Sequence, residues 1–427
     1  MKNFKIKKIE LKVLFICLLF LIFIILLIYL LYVPKIKLVG KDSVIISYDE
    51  QYKESGYKAY LFGLDVSNKV KIESNVDYGK VGNYEIKYTI KNILGCFDNS
   101  VIRKISIVDN ENPEIKLIGK TVLLKLGNQY HEPGYEALDN YDGNITSNVT
   151  IKNNVDPSKV GEYEVNYSVS DSSKNESFAT RKVIVYETNS ESIPILTYHN
   201  FMSVEEKNKY ASENKYIISN KLFEDQLKYL KNNGYNTITL EDLYLWYTGE
   251  KVLSDKDVVI VIDDGSLSAY VYAIPLLEKY DYKASIFVIT GRITNVKQEW
   301  NPSQFMYFNE EIIADIRENH KNISLSSHTH NLHSKIDGRC AIASMNEDQI
   351  YDDVVTSKNI IKSDFLAYPY GCNTPSSKIA LEKAGYKMAF EFGDNKRATK
   401  NDDIYSMKRL NINDTTTMAQ FISWLNP

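Results

Sequence analysis

Hydrophobic and polar positions follow three different patterns along the chain. The first pattern is an unbroken apolar run from Val13 to Val33, which is long enough to cross a bilayer as a helix. Five lysines and one glutamate precede this run, so the positive-inside rule places the N-terminus in the cytoplasm and the chain after Pro34 outside. A cleaved signal peptide is the alternative, but the run is not followed by a small-residue cleavage site. We therefore expect residues 1–34 to form a basic cytoplasmic tail and an uncleaved, single-pass anchor in the cell membrane.

The second pattern consists of short segments in which apolar and polar residues alternate, as they do in half-buried β-strands. These segments occur twice, with a period of 78 to 79 residues. The repeated pairs are Pro34–Lys41 with Pro113–Lys120, Tyr52–Tyr57 with Tyr130–Tyr135, and Val81–Tyr88 with Val160–Tyr167. The repeat predicts two small β-sandwiches, residues 35–110 and residues 111–187. Both resemble the Ig-like domains of bacterial surface proteins.

Only the second repeat contains the acidic stretch Ala137–Thr146, which is similar to a motif of the Ig-like family. Its Asp139 and Asp142 are candidate calcium ligands, because calcium prefers carboxylate oxygens. An Asp-Gly turn without an ion is the alternative.

The third pattern follows a polar linker, residues 188–192, and extends over residues 193–427. Strand-like apolar runs alternate here with amphipathic helical segments such as Lys221–Asn233. The runs begin near Ile193, Thr237, Val258, Ala284, Ile323, Phe365 and Met388. Seven strands that alternate with helices predict parallel pairing, here in a (β/α)7 barrel. In such barrels the active residues gather at the C-terminal ends of the strands.

Two carboxylates stand at the end of one of these strands. The apolar residues Val258–Ile262 predict a strand covered on both faces, and Asp263, Asp264 and Gly265 follow it directly. Two carboxylates this close repel each other unless a cation or a shared proton relieves them. A buried strand that ends in an ordinary Asp-Gly turn is the alternative.

Three of the six histidines lie within Ser327–His333, just after another short strand-like run. Neutral imidazole is the commonest side-chain ligand for zinc-like metals, and two histidines with one carboxylate leave positions for water and substrate. A polar surface loop is the alternative. Because both features follow predicted strands of one domain, we prefer a metal site.

Residues 193–427 resemble the polysaccharide deacetylases with a NodB homology domain, which form carbohydrate esterase family 4. The resemblance rests on three motifs in order: Asp263–Gly265, His328–His333 and Tyr368–Gly371. The two outer histidines of the second motif are five residues apart, as in the subgroup that acts on poly-N-acetylglucosamine. The resemblance implies a distorted (β/α) barrel, in agreement with the strand and helix pattern.

The resemblance also implies a role for each site residue. Asp263 would be the catalytic base, and the backbone N–H of Tyr370 would help to hold the oxyanion. A divalent metal, with Zn²⁺ the expected ion, would be bound by Asp264, His328 and His333.

Two positions depart from the family pattern. Ala367 stands where the family often has an arginine that orients the base, so we expect Asp263 to lack that partner. The family's general acid is commonly a C-terminal histidine, yet no histidine follows His333. His199 is the candidate that remains, because it ends the first predicted strand in a Thr-Tyr-His sequence that resembles the opening motif of the poly-N-acetylglucosamine deacetylases. A buried structural histidine is the alternative.

The net charge bears on whether the protein binds nucleic acid, and the cysteine content bears on whether disulfides stabilise it. The net charge of −4 provides no reason to expect a nucleic-acid partner. Outside the anchor, Cys96, Cys340 and Cys372 are odd in number and far apart, so we expect no disulfide framework.

We therefore expect a membrane-anchored extracellular enzyme, a metal-dependent hydrolase that removes acetyl groups from N-acetylglucosamine residues of a polysaccharide. Peptidoglycan and an exopolysaccharide of the poly-N-acetylglucosamine type are the candidate substrates. The alternative is a catalytically inactive, surface-anchored glycan-binding protein, which the intact set of ligand-type residues opposes. A non-haem iron oxygenase also uses two histidines and one carboxylate, but the adjacent Asp263 and the extracellular location favour hydrolysis.

Overall fold

The computed structural model begins with helix α1, Lys2–Tyr32, and describes residues 2–32, 34–92, 95 and 97–426. Within α1, the segment Leu11–Ile28 has a mean hydropathy of 3.3 and is not buried against the rest of the chain. Among the described helices it is the one long and apolar enough to cross a membrane, a property that an N-terminal signal sequence shares. The apolar helix is therefore a signal or an anchor.

The first repeat folds into two packed β-sheets. Its strands are β1 Lys35–Leu38, β2 Ser43–Ser47, β3 Tyr57–Leu61, β4 Leu64–Asp65, β5 Lys71–Ser74, β6 Gly82–Lys91 and β7 Asp98–Val108. Three strands pair in the order β1–β3–β4 and four in the order β2–β7–β6–β5. Alternate residues of β6, Ile86, Tyr88 and Ile90, are buried and share one core with side chains from both sheets. This period of two is what the alternating pattern predicts.

The second repeat has the same strands in the same order. They are β8 Glu114–Leu117, β9 Thr121–Lys125, β10 Tyr135–Asp139, β11 Gly143–Asn144, β12 Thr150–Asn153, β13 Gly161–Ser170 and β14 Glu176–Tyr186. They pair as β11–β10–β8 and β12–β13–β14–β9. Each repeat also buries an arginine against a glutamate, Arg103 with Glu54 at 3.0 Å and Arg181 with Glu132 at 2.9 Å. The two repeats are thus alike in sequence and also in this pairing of a buried arginine with a glutamate.

Strands and helices alternate from Ser192 onward. The strands are β15 Ser192–Ile193, β16 Ile195–Tyr198, β17 Asn200–Met202, β18 Ile217–Ser219, β19 Asn236–Thr237, β20 Asp257–Ile262, β21 Ala284–Val288, β22 Ile323–Ser327, β23 Lys335–Ile336, β24 Arg339–Cys340, β25 Phe365–Ala367, β26 Met388–Phe390, β27 Ala398–Thr399 and β28 Leu410–Asn411. The helices are α2 Val204–Tyr210, α3 Asn220–Asn232, α4 Leu240–Tyr247, α5 Ile274–Lys279, α6 Glu310–Asn319, α7 Glu347–Ile361, α8 Pro375–Lys383 and α9 Met418–Leu425. Ser219 caps α3 by accepting a hydrogen bond from the backbone N–H of Leu222.

Seven of these strands form one parallel sheet in the order β26–β25–β22–β21–β20–β16–β28, and β19 pairs with β20 beside it. Within the residues that the structure describes, no ladder joins β26 to β28, so the sheet is an open half-barrel. The expected parallel α/β arrangement with seven strands is present, and its closure into a full barrel is not.

The strand positions differ from the prediction at one place. The run near Thr237 becomes β19, which lies off the main order, and the seventh place belongs to β28. Because β28 has two residues, Leu410 and Asn411, it offers no apolar run for a sequence pattern to detect. It is instead defined by its parallel pairing with Leu196 and Thr197 of β16.

The unbroken apolar run of β20 is explained by cover on both faces. Val258, Ile260 and Ile262 belong to one buried hydrophobic cluster, and Val259 and Val261 belong to another. A strand with two buried faces has no position for a polar side chain until it ends.

No disulfide framework is expected from the sequence, but two of the cysteines do pair. Cys340 and Cys372 form a disulfide, with a Cα–Cα distance of 6.4 Å. Cys340 ends β24 and Cys372 lies in the loop after β25, and their separation of 32 residues in sequence does not reveal that they meet. Cys17 in α1 is free, and Cys96 lies outside the described residues.

Candidate active site

Strand β20 brings two carboxylates to the C-terminal edge of the half-barrel. The backbone N–H of Asp263 still donates to the carbonyl of Tyr198, at 2.9 Å. Asp264 and Gly265 then adopt positive φ angles of 75° and 64°, which turns the chain so that both aspartates line one cleft. A Cβ on Gly265 would approach Val288 at 3.0 Å, so this turn requires glycine.

The two outer histidines of the second motif converge on Asp264. The Nε2 atoms of His328 and His333 lie 3.6 Å and 3.3 Å from Asp264 Oδ1. His328 Nδ1 lies 2.8 Å from the carbonyl oxygen of Ala367, which can only accept, so Nδ1 carries the proton and Nε2 remains a ligand atom.

Asp353 of α7 holds the loop between the two ligand-type histidines. Its carboxylate accepts the backbone N–H groups of His330 and Asn331 at 2.8 Å and 2.7 Å. The middle histidine, His330, places its Nδ1 3.0 Å from Thr290 Oγ1, outside the group that surrounds Asp264. No feature of the sequence around Asp353 marks it for this role, because the contact depends on how α7 packs beside the loop.

This donor set fits a zinc-like cation. The candidate ligand atoms of Asp264, His328 and His333 all lie within 4.8 Å of one another. Ligands held tetrahedrally by bonds of about 2.0–2.2 Å lie about 3.3–3.6 Å apart, which agrees with the distances to Asp264. Burial would raise the pKa of Asp264, but the neighbouring imidazoles of His328 and His333 hold that pKa well below its usual range, so the carboxylate is ionised.

Asp263 has an arginine partner after all, and this corrects the expectation drawn from Ala367. Arg409 donates from Nη1 and Nη2 to the two carboxylate oxygens of Asp263, at 2.8 Å and 3.0 Å. Arg409 precedes β28, the strand that the sequence pattern missed, and its Nε donates to the carbonyl of Glu391. Burial would raise the pKa of Asp263, but the Arg409 charge holds that pKa below its usual value.

His199 directly follows β16 and faces the same carboxylate. Its Nε2 lies 3.9 Å from Asp263 Oδ2, and its ring packs against those of Tyr216 and Phe392 with centroid distances of 5.5 Å and 5.2 Å. Its buried Nδ1 has no hydrogen-bond partner among the described residues. Burial lowers the pKa of His199, although the Asp263 charge opposes this. The imidazole thus lies where it can exchange a proton within the cleft.

Tyr370 lies beside His333, one of the candidate ligands. Its ring centroid is 4.7 Å from that of His333, and its backbone adopts a φ of 57°. A Cβ on Gly371 would lie 2.3 Å from the carbonyl oxygen of Phe392, so this close approach of two chains admits only glycine. Positive φ at Asp264 and Tyr370, and at Thr329 next to His328, places backbone strain at the candidate site, as is common at functional sites.

The cleft that contains these residues has a volume of about 400 Å³. All six candidate site residues, namely His199, Asp263, Asp264, His328, His333 and Tyr370, line it. Aromatic side chains form much of the remaining wall, namely Tyr216, Phe305, Tyr368 and Phe392. This mixture of a few polar groups and flat apolar faces suits a small organic group or a sugar ring.

Two family models match the chain. The model of the bacterial surface protein Ig-like domain matches residues 36–107 and 115–185, and the polysaccharide deacetylase model matches residues 250–389. The chain contains a polysaccharide deacetylase domain. This domain is of the carbohydrate esterase family 4 type of hydrolase, and two bacterial Ig-like domains precede it.

Several known proteins are similar to this chain. The chain is 28% identical over 210 residues to the poly-β-1,6-N-acetyl-D-glucosamine N-deacetylase of Staphylococcus aureus (strain N315). The aligned region covers 47% of this chain and 69% of that protein. A Streptococcus pyogenes deacetylase in complex with acetate is 24% identical, with a TM-score of 0.48, over 56% of this chain and all of that one. A polysaccharide deacetylase from Bacillus cereus is 17% identical, with a TM-score of 0.43, over 84% of this chain and all of that one.

The deacetylase match contains Asp263, Asp264, His328, His333 and Tyr370. His199 and Arg409 lie outside the matched residues, on either side. The geometry of the cleft, and not the match, brings these two side chains to Asp263.

Proposed function

We propose that the deacetylase domain removes N-acetyl groups from N-acetylglucosamine residues of an extracellular polysaccharide, with a divalent metal held by Asp264, His328 and His333. The arrangement of the two aspartates supports this most directly. Asp264 lies among the candidate ligand atoms, whereas both oxygens of Asp263 are held by Arg409. Metal-assisted hydrolysis needs one carboxylate that binds the metal and another that does not bind it and can act as the base.

The chemistry follows from these positions. When bound, the metal supplies Lewis-acid polarisation of the acetyl carbonyl and lowers the pKa of water, which offsets the low electrophilicity of an amide. Asp263, kept ionised by Arg409, accepts the proton of the water that attacks the carbonyl carbon. The backbone N–H of Tyr370 donates to the oxyanion that forms. His199 gives a proton to the sugar nitrogen as the C–N bond breaks, which releases acetate and a free amine.

Two classes of substrate carry the required sugar. The Staphylococcus aureus relative acts, by its name, on poly-β-1,6-N-acetyl-D-glucosamine, which supports an exopolysaccharide of that type. Peptidoglycan is the second candidate. An uncleaved α1 would anchor the enzyme in the cell membrane and leave the cleft outside, where both polymers are found.

The test is product analysis with the detergent-solubilised full chain and added Zn²⁺. Chito-oligosaccharides, poly-β-1,6-N-acetylglucosamine and peptidoglycan fragments are each incubated with enzyme, and free amines and acetate are quantified by mass spectrometry. We expect equal amounts of amine and acetate from at least one polymer, and neither with Asp264→Ala. Binding without products from any polymer would support the alternative of an inactive glycan-binding protein. Turnover that requires iron and oxygen would support an oxygenase.

A further inference from the structure

A second group of acidic side chains lies outside the catalytic cleft, in the Ig-like repeats. Asp109, Asp139 and Asp171 each offer a carboxylate oxygen within 4.8 Å of the others. Asp109 directly follows β7, the last strand of the first repeat. Asp139 ends β10, and Asp171 directly follows β13, both in the second repeat. The three residues are 30 or more positions apart in sequence and meet only through the fold.

Two of the carboxylate oxygens have no hydrogen-bond partner among the described residues. They are Oδ2 of Asp109, a residue that is 7% exposed, and Oδ2 of Asp139, and both atoms are buried. Burial raises the pKa of Asp109, and the neighbouring charges of Asp139 and Asp171 raise it further. Buried carboxylates in this arrangement are costly unless a positive charge lies among them.

Local hydrogen bonds orient the carboxylates of Asp139 and Asp171. Asp139 Oδ1 accepts the backbone N–H groups of Tyr141 and Asp142 at 2.9 Å and 2.8 Å. Asp171 Oδ1 accepts the backbone N–H of Asn175 at 2.8 Å, and Oδ2 accepts from its side-chain amide at 2.7 Å. The group is thus held in place before any ligand binds, which reduces the entropic cost of binding.

The first repeat shows that the sandwich does not need these acids. Leu61 ends β3 as Asp139 ends β10, and Asn92 follows β6 as Asp171 follows β13. The first repeat therefore builds the same two sheets with neither carboxylate. The acidic pair is an addition of the second repeat, and it meets Asp109 at the end of the first.

We propose that Asp109, Asp139 and Asp171 form a calcium site that ties the end of the first Ig-like repeat to two loops of the second. The ligands are all oxygens and carry three negative charges, which suits calcium rather than zinc. Asp142 is the other candidate ligand suggested by the sequence. Its carboxylate instead accepts hydrogen bonds from the backbone N–H and the Oγ of Ser172, at 2.6 Å and 2.9 Å. A contact beside the site, Tyr48 with Tyr141 at a centroid distance of 4.7 Å, also joins the repeats.

The site is tested by calcium binding to the full chain in detergent, in an Asp264→Ala background that removes the catalytic ligand. Equilibrium dialysis with radioactive calcium should show one ion per chain, with a Kd in the range of about 0.1–1 mM that is typical of extracellular modules. Asp139→Asn and Asp171→Asn should each weaken binding at least about tenfold. Asp65→Asn, an exposed aspartate of the first repeat, is the matched control and should bind as the parent does.

Thermal unfolding separates a calcium site from a purely structural cluster. Calcium should raise the Tm of the parent and leave the Tm of Asp139→Asn unchanged. Without calcium, Asp139→Asn should unfold at the same temperature as the parent or higher, because repulsion among the acids is relieved. The proposal is overturned if the parent binds no calcium at millimolar concentration, if Asp139→Asn binds it equally well, or if that variant is less stable without calcium.

Discussion

Arg409 holds Asp263 through two parallel hydrogen bonds, from Nη1 to Oδ1 at 2.8 Å and from Nη2 to Oδ2 at 3.0 Å. Both side chains are almost completely buried, so solvent screens this pair very little. The planar guanidinium matches the carboxylate at both oxygens, and it fixes the orientation of the proposed base as well as its charge. Removal of the arginine would leave a buried carboxylate without a partner, which favours its protonated form.

We therefore predict that Arg409→Met moves the acidic limb of the pH profile of kcat/KM to higher pH, by about 1–3 pH units. The sign follows from the low pKa of Asp263: without the arginine the carboxyl is protonated at a pH where the parent is ionised and active. The loss should be larger near pH 6 than near pH 8.5. Arg409→Lys should shift the limb less, because it keeps the charge and loses the paired geometry. Arg317→Met on α6 is the control, and an unchanged limb in Arg409→Met would refute the role.

Loss of any one candidate ligand should abolish metal binding. We predict that Asp264→Ala, His328→Ala and His333→Ala each lose the bound metal and the activity, because two remaining ligands hold a zinc-like ion too weakly. Elemental analysis of the purified chains measures this directly. His330→Ala is the matched control, since it lies between the two histidines and contacts Thr290 instead. Full metal content in all three ligand variants would show that the ion binds elsewhere.

Asp263→Asn should separate catalysis from metal binding. The amide keeps the size of the side chain but cannot accept the proton of the attacking water. We predict normal metal content and a loss in kcat of about a hundredfold to ten-thousandfold. Rates close to those of the parent would mean that a different group acts as the base.

His199→Ala tests the proposed general acid. We expect normal metal content and a large loss of turnover on the sugar amide, whose leaving nitrogen must be protonated. An activated ester needs no such proton, so the loss on that substrate should be clearly smaller. Equal losses on both substrates would assign His199 a structural role, in keeping with its contacts to Tyr216 and Phe392.

The disulfide between Cys340 and Cys372 should stabilise the domain and support the segment that carries Tyr370. We predict that Cys340→Ser lowers the free energy of unfolding by about 2–4 kcal/mol, as expected when a cross-link of this loop length is lost. Urea denaturation of the oxidised chain measures the difference, and kcat/KM should fall with it. Cys17→Ser, which changes a free cysteine in α1, is the matched control. Equal stability of the parent and Cys340→Ser would contradict the prediction.

Local patterns in the sequence determined much of the architecture. The run Val258–Ile262 predicts a strand buried on both faces because every side chain along it must avoid water, and β20 is such a strand. The 78-to-79-residue repeat predicts two copies of one sandwich, because similar alternating segments in the same order pair in the same way. Motif residues that follow strand ends, such as Asp263 and His328, meet at one edge because the strands are parallel.

Only the tertiary structure decided which distant residues meet. Arg409 reaches Asp263 across 146 positions of sequence, from the start of a two-residue strand that has no hydrophobic period of its own. Ala367 stands at the position where the family often has this arginine. The fold supplies the arginine instead from the residue before β28, the strand that pairs with β16. The pairing of Cys340 with Cys372 and the meeting of Asp109 with Asp139 and Asp171 have the same origin. Hydrophobic periodicity indicates which face of a helix or strand is buried. Which residues contact that face depends on how the elements pack, and contacts between short loops depend on that packing alone.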